Sequence, residues 1–183
     1  DLVAFLDADD EWLPEFIETI MDMKTSYPEG EVFGTLYTYK EKDGEFKHPN
    51  TQLFFEPDYR GYISDYLRII RKILPFNNSS FAVTKTAILA VDGFPEGIKF
   101  GEDVDTFIRL SMQYKIAYFN RALAIYHRES ENRACERYYP SMNEYYPVVN
   151  LVPMMINDEV PAQFTQSAIE YIAKFQLNLA RSH

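Results

Sequence analysis

Residues 2–14 read LVAFLDADDEWLP, and the expected architecture starts from this stretch. Five consecutive apolar residues are typical of a buried strand, and closely spaced carboxylates follow them at once. Asp7 and Asp9 are separated by one position, so both side chains can turn toward the crevice where open α/β sheets bind ligands. Because hard carboxylate oxygens suit Mg²⁺ or Mn²⁺, the stretch predicts a divalent metal site at the end of the first strand.

The same carboxylates have other interpretations. Asp9 or Asp10 could simply cap the helix that follows, although this does not explain why Asp7 and Asp9 share a parity. A calcium loop of the EF-hand type fails because Trp12 stands where that loop needs glycine. A phosphatase of the haloacid-dehalogenase type also begins with an apolar strand and Asp-x-Asp. Its nucleophile would be Asp7, but Glu11 departs from its usual pattern.

The composition is that of one globular domain with an acidic balance. The chain has 183 residues, 46% of them apolar and 16% aromatic, which suffices for a core. A net charge of −10 without a dense basic run argues against nucleic acid as the main partner. Cys135 is the single cysteine, which excludes an internal disulfide framework and a cysteine-based zinc site. The apolar run at residues 148–156 is far below the ~20 residues that cross a bilayer.

Hydrophobic periodicity predicts a chain of alternating helices and strands. The predicted strands cover residues 2–6, 32–39, 45–47, 79–83, 114–119 and 122–126, and the predicted helices cover 13–21, 63–74, 84–91, a segment from 104, and 163–179. Glu102 and Asp103 precede the segment from 104, where the helix dipole stabilises carboxylates. That position alone would explain the acidic pair without catalysis.

Two blocks of the sequence together resemble the inverting family 2 glycosyltransferases of the GT-A fold. Residues 5–14 are similar to that family's central strand and Asp-x-Asp motif, including the Trp and Pro that follow. VDGFPE at residues 91–96, with GEDVD at residues 101–105 and Arg109, is similar to the family's Gly-Gly-Phe-x-Glu and Glu-Asp region. Asp92 stands where the family more often has its first glycine.

The resemblance implies an α/β fold with a partial GT-A, Rossmann-like mixed sheet flanked by helices. We expect a single domain over residues 1–183. Residues 1–128 would form the metal and acceptor half of the catalytic domain, and residues 129–183 an aromatic segment with an amphipathic helix. Family members normally open with nucleotide-binding βα units, so we expect the sequence to be truncated at its N-terminus and this fragment alone to be inactive.

The resemblance also implies roles for individual residues. The reaction would move a sugar from a nucleotide-sugar donor to a hydroxyl acceptor with inversion, assisted by Mn²⁺ or Mg²⁺ at the diphosphate. Asp9 would ligate the metal, and Asp7 would contact the metal, the ribose or both. Asp103 matches the general base that inversion requires, and Glu102 would orient the acceptor or the base. Trp12 would lie in the substrate crevice wall or in the core.

Three further residues extend the expected site. His127 would supply another metal ligand, as a late His does in some GT-A enzymes, or it is merely structural. Arg128 and Arg133 would neutralise the diphosphate, or they pair with Glu129 or Glu131.

The tyrosine pairs at residues 138–139 and 145–146 would stack on sugar rings or pack the C-terminal segment.

The expected partners are a nucleotide-sugar donor and a glycan, lipid-linked or other hydroxyl acceptor, as in polysaccharide biosynthesis, with no nucleic acid. The expected location is cytoplasmic, with peripheral membrane association of a longer parent chain and homo-oligomerisation left open. A non-catalytic binding or interaction module that kept the fold is the alternative function. A haloacid-dehalogenase-like phosphatase is a second and weaker one.

Overall fold

The computed structural model describes residues 1–98, 100–129 and 145–181. These residues belong to two compact units that interleave along the chain. Unit 1 is drawn from Asp1–Ser64, Ile73–Ala90 and Tyr114–Glu131, and unit 2 from Asp65–Lys72, Val91–Gln113 and Asn132–His183. The division into residues 1–128 and 129–183 stays a prediction.

Unit 1 is built on a mixed sheet. Its strands are β1 (Leu2–Ala4), β2 (Glu11–Trp12), β3 (Gly30–Lys40), β4 (Phe46–Lys47), β5 (Arg60–Ile63), β6 (Phe81–Thr84) and β7 (Lys115–His127). The strand order is β1-β6-β3-β7-β2, with β4 paired to β3 and β5 to β7. β3 and β7 run parallel, and the other pairs are antiparallel. The predicted class, a mixed α/β sheet flanked by helices, is confirmed.

The described helices complete both units. In chain order they are α1 (Phe16–Ser26), α2 (Tyr66–Ile70), α3 (Lys85–Ala90), α4 (Glu102–Gln113), α5 (Tyr146–Ile156) and α6 (Thr165–Arg181), with 3₁₀ turns at Asn78–Ser80 and Ala162–Phe164. α1 and α3 belong to unit 1, and the other four helices belong to unit 2. Among the described residues, none of the helices combines the length and the apolar character that crossing a bilayer requires.

The core of unit 1 lies between α1 and the sheet. Phe16, Ile20 and Met23 recur at helical spacing and are buried together with Phe33 of β3. Full burial of such side chains contributes roughly 1.5–3 kcal/mol each. Gly34 lets β3 approach its neighbours, since a Cβ there would lie 2.5 Å from the Phe76 ring. The apolar side chains of α1 and β3 therefore stabilise the sheet that carries the acidic turn.

Three element predictions differ clearly from the structure, besides the short strand β2, which was not predicted, and bounds that shift by a few residues. The two strands predicted at residues 114–119 and 122–126 are one strand, because β7 continues through an irregular pairing around Asn120. The Asn120 backbone N–H and side-chain amide donate to the carbonyl oxygens of Tyr59 and Glu56. The helix predicted over residues 63–74 is confined to α2, since the segment before it pairs with β7 as β5.

The third difference is α5, which was not predicted. Pro147 lies in its first turn and Pro153 inside it, and prolines are usually signals of helix breaks. In unit 2, α5 packs against α4 and α6, which bury Val148 and Leu151. This packing gain overrides the local penalty of the second proline.

Candidate functional site

The acidic turn, residues 7–10, follows β1 in unit 1 after Phe5 and Leu6. The Asp10 backbone N–H donates to the Asp7 carbonyl at 3.0 Å and closes the turn. Asp7 is half-buried, Asp9 is exposed, and Asp10 is only 8% exposed. Within this turn, the Asp10 carboxylate therefore points into the protein, whereas the Asp9 carboxylate points toward solvent.

Asp10 is a structural anchor. Its carboxylate accepts hydrogen bonds from the Ser79 hydroxyl and, at 3.2 Å, from the His127 backbone N–H. Burial raises the pKa of Asp10, and the hydrogen bonds from Ser79 and His127 partly oppose that rise. The prediction that Asp9 or Asp10 caps the next helix is wrong, because α1 begins at Phe16 after Glu15, without a side-chain cap.

Ser79 is the centre of the contacts that hold the acidic turn. Its hydroxyl accepts from the Asp7 backbone N–H at 3.1 Å, and its carbonyl accepts from the Trp12 indole N–H at 2.7 Å. Asn78 donates its side-chain amide to the Asp7 carboxylate at 3.0 Å. Nothing local in the sequence singles out Ser79, because these partners come from a segment about seventy residues earlier in the chain.

Trp12 lies partly in the core. Its ring stacks on Phe16 at 4.8 Å between centroids, and it packs against the core of unit 1. Because its indole N–H is already bonded to the Ser79 carbonyl, Trp12 fixes the path from β2 into α1.

His127, at the end of β7, joins two carboxylates. Its Nε2 lies 2.7 Å from Glu11, and its Nδ1 lies 2.9 Å from Glu129. The hydrogen bond to Glu129 is the main cause that raises the pKa of His127, and Glu11 adds to it. Lys40, at 2.8 Å, and His127 together lower the pKa of Glu129 to about 2. The imidazolium form is thus favoured, since only that form donates from both ring nitrogens.

Arg128 binds a different carboxylate from the one expected. Its guanidinium donates to Glu41 at 3.1 Å and lies 3.9 Å from the centre of the Tyr39 ring. The expected pairing with Glu129 is replaced by this contact, because Glu129 is held by Lys40 and His127. Four other features named from the sequence lie outside the described residues: Glu131, Arg133, Cys135 and the tyrosine pair at 138–139.

Unit 2 contains the second acidic motif. Glu102 and Asp103 lie in the first turn of α4, as predicted, and both are half-buried. The Val104 backbone N–H donates to the Asp103 carboxylate at 2.7 Å. A carboxylate in this position is stabilised by the helix dipole.

Sequence reasoning missed the role of Asp105. It is 2% exposed, and its carboxylate accepts from Arg109 at 2.7 Å and from Asn150 at 2.8 Å. Arg109 also donates to the backbone carbonyls of Val91 and Gly93. The ion pair of Asp105 and Arg109 therefore connects the VDGF turn to α4. The i, i+4 spacing of the two residues is the sequence feature that could have predicted this ion pair.

The tyrosine at position 145 packs inside unit 2. Its ring stacks on Phe175 at 4.3 Å and contacts Phe100 at 6.0 Å, between centroids. Its hydroxyl lies 3.1 Å from the Tyr171 hydroxyl. The packing interpretation holds for Tyr145.

The predicted site residues thus fall into two groups. Unit 1 holds Asp7, Asp9, Trp12, His127 and Arg128, and unit 2 holds Glu102 and Asp103. Over the described residues, no set of three His, Cys, Asp or Glu side chains is arranged as a metal cage. Mg²⁺ is usually bound through one or two carboxylates together with substrate phosphates, and an exposed Asp9 beside Asp7 fits that kind of site.

Comparison with known proteins gives one family. The sequence model described as glycosyl transferase family 2 matches residues 1–93, half of the chain. The matched segment includes the acidic turn, the anchoring serine and the first three residues of the VDGF turn. None of the curated proteins matches this chain.

Proposed function

Because the chain belongs to glycosyl transferase family 2, we propose that it transfers a sugar from a nucleotide-sugar donor to a hydroxyl acceptor with inversion at the anomeric carbon. The observation that carries this proposal is the acidic turn after β1, within the matched segment. The turn buries Asp10 as its anchor and leaves the Asp9 carboxylate exposed. The family match also favours sugar transfer over the phosphatase alternative.

The acidic turn supplies a donor set for Mn²⁺ or Mg²⁺. The Asp9 side chain is exposed, so its oxygens are available to a cation and its water shell. Asp7 has one oxygen occupied by Asn78, which leaves the other for the metal or the ribose. When bound, the cation would stabilise the negative charge that develops on the diphosphate.

His127 and Arg128 have conditional roles in this proposal. Ligation by His127 requires a neutral ring and the release of Glu11 or Glu129, because both ring nitrogens are engaged. Arg128 would bring its charge to the diphosphate by leaving Glu41. In the geometry described, His127 holds Glu11 and Glu129, and Arg128 holds Glu41.

The chemistry of inversion needs a base on the acceptor side. The acceptor hydroxyl oxygen forms a bond to the anomeric carbon, the bond from that carbon to the diphosphate oxygen breaks, and the hydroxyl proton moves to a carboxylate. We assign the proton to Asp103 and the orientation of the acceptor to Glu102. Both residues lie in the first turn of α4, where the helix dipole stabilises carboxylates.

Calorimetric titration of UDP and of GDP, with and without Mn²⁺, tests the donor site. We expect binding of one of these nucleotides that requires Mn²⁺ and falls at least about tenfold in Asp9→Ala, because a ligand of the cation is lost. Glu18→Ala, which removes an exposed carboxylate from α1, is the matched control and should bind like the wild type. Mn²⁺-independent binding, or equal binding by Asp9→Ala, would contradict the proposal.

A further inference from the structure

Asn78 lies beside the acidic turn in unit 1, and the proposed reaction gives it no role. Its side-chain amide donates to one carboxylate oxygen of Asp7 at 3.0 Å, across 71 residues of sequence. Both side chains are half-buried, so water competes with this hydrogen bond only in part. Asn78 therefore contacts a carboxylate that is assigned to the cation or the ribose of the donor.

The backbone that carries Asn78 is itself held in place. Asn78–Ser80 is a 3₁₀ turn, and Ser79 and Ser80 are fully buried. The Asn77 backbone N–H donates to the Ser80 hydroxyl at 2.8 Å, and the Ser80 backbone N–H donates to the Asn77 carbonyl at 3.1 Å. A side chain on a fixed turn can hold its partner in a fixed direction.

Neighbouring residues of this turn contact different parts of the acidic turn. Ser79 accepts from the Asp7 backbone N–H and donates to the Asp10 carboxylate, so its contacts hold the backbone and the buried anchor. Asn78 contacts the Asp7 side chain instead. The last torsion of an aspartate side chain is soft, and a hydrogen bond to one oxygen fixes the direction of the other.

The donor to Asp7 is neutral, in contrast to the partners of two carboxylates just past the ends of β3 and β7. Glu129 pairs with Lys40, and Glu41 pairs with Arg128. A metal ion would have to compete with those cations for their carboxylates. The amide of Asn78 has no charge, so it orients the Asp7 carboxylate and leaves the negative charge available to a cation.

The orientation of the Asn78 amide is unfavourable for the fold. Its carbonyl oxygen, Oδ1, is buried and has no hydrogen-bond partner among the described residues. A buried acceptor without a donor is destabilising, and an apolar side chain at this position would avoid that loss. Turning the amide over would place this oxygen against the Asp7 carboxylate, where two acceptors repel. Local costs of this kind are expected where a residue serves a site.

We propose that Asn78 is a positioning residue of the donor site. Its amide holds one oxygen of Asp7 and so directs the other toward the cation or the ribose of the bound nucleotide. Asn78 acts through Asp7 and does not itself contact the donor. This inference rests on the proposed donor site at the acidic turn, and it adds to that site a residue about seventy positions further along the chain.

Calorimetric titration of UDP and of GDP with Mn²⁺ tests this role. We expect Asn78→Ala to weaken the Mn²⁺-dependent binding about tenfold, the usual effect of removing a partner of a metal-binding side chain. Asn157→Ala is the matched control, because it removes an amide that donates to the Glu159 carboxylate at 3.2 Å in unit 2. The control should bind like the wild type. Equal affinities of the two variants would overturn the proposal.

A double-mutant cycle tests whether the effect passes through Asp7. In the Asp7→Ala background the Asn78 amide has lost its acceptor, so adding Asn78→Ala should change the nucleotide affinity by less than about twofold. A further loss of about tenfold in that background would show that Asn78 acts by another route, and it would overturn the positioning role.

Two measurements without ligand separate positioning from a purely structural role. Asn78→Ala loses a hydrogen bond but also removes the unpaired carbonyl, so its urea denaturation midpoint should stay close to that of the wild type. In NMR spectra of the metal-free protein, the side-chain amide signal of Asn78 should shift in Asp7→Ala, and that of Asn157 should not. A midpoint lowered as far as in Asp10→Ala, or an unshifted Asn78 signal, would overturn the proposal.

Failure of this inference is distinguishable from failure of the donor site. If the wild type binds neither nucleotide with Mn²⁺, the donor site fails and the positioning role fails with it. If the wild type binds a nucleotide and Asn78→Ala binds it equally well, the donor site stands and only the assignment of Asn78 fails.

Discussion

At the scale of single residues, neighbouring carboxylates of one turn differ in chemistry because their surroundings differ. Asp9 is exposed, whereas Asp10 is buried and shares its oxygens between Ser79 and the His127 backbone. Adjacent positions thus differ in role: Asp10 stabilises the fold, and the Asp9 carboxylate stays accessible to solvent. A metal-site reading that treats all carboxylates of the DADD motif alike would misassign Asp10.

Removal of the Asp10 carboxylate should destabilise unit 1. Asp10→Ala leaves the Ser79 hydroxyl and the His127 N–H without their acceptor, at a cost of about 1–3 kcal/mol in the free energy of unfolding. Asp10→Asn keeps an acceptor and should cost less. Urea denaturation in metal-free buffer measures both, and equal losses in the two variants would contradict the anchoring role.

The difference in stability between the wild type and Asp10→Asn should change with pH in a definite direction. Because the pKa of folded Asp10 is raised, the folded protein holds the proton longer than the unfolded chain, whose pKa is about 3.9. The wild type therefore loses stability relative to Asp10→Asn as pH rises from about 4 through the folded pKa. A constant difference between the two across that range would show that burial of Asp10 is unimportant.

At the scale of elements, the residue that precedes α4 is a glycine for two separate reasons. Gly101 has φ +84°, and a Cβ there would lie 2.8 Å from Pro147 and 2.9 Å from Tyr145. Its carbonyl accepts the first helical hydrogen bond, from the Asp105 N–H. The position of Asp103 in unit 2 therefore depends on a residue without a side chain.

Gly101→Ala should destabilise the protein more than a matched substitution elsewhere. Gly44 has the same φ of +84°, but nothing lies within 4 Å of its Cβ direction. Gly44→Ala should cost about 1–2 kcal/mol from backbone strain alone, and Gly101→Ala about 1–3 kcal/mol more from crowding. Thermal unfolding of both variants measures the difference, and equal costs would refute the crowding at the start of α4.

At the scale of the whole molecule, the proposed reaction draws on both units. Unit 1 holds the acidic turn, and unit 2 holds Asp103, the residue that we propose as the base. Substitutions in the two units should therefore impair different properties, nucleotide affinity in unit 1 and turnover in unit 2.

Asp103→Asn should lower turnover by about 10²–10⁴, the usual contribution of a general base, while Mn²⁺-dependent nucleotide affinity stays unchanged. Asp9→Ala should lose nucleotide affinity instead. Kinetics together with calorimetry separate the two effects. A non-catalytic binding module would have no turnover for Asp103→Asn to reduce, so unchanged behaviour of that variant would favour the module.

Much of this protein was determined by sequence alone. The apolar run before Asp7, the helical spacing of α1 and the acidic start of α4 predicted strands and helices with carboxylates at their ends. The family resemblance of residues 5–14 and 91–105 implied the mixed α/β sheet, and the family match agrees. These features are local, because backbone periodicity, capping and helix dipoles act over a few neighbouring residues. Only the tertiary structure decided that Asp10 is buried against Ser79, that His127 joins Glu11 to Glu129, and that residues 114–126 form one strand. Those outcomes depend on contacts between segments up to 117 residues apart, and local periodicity carries no information about them.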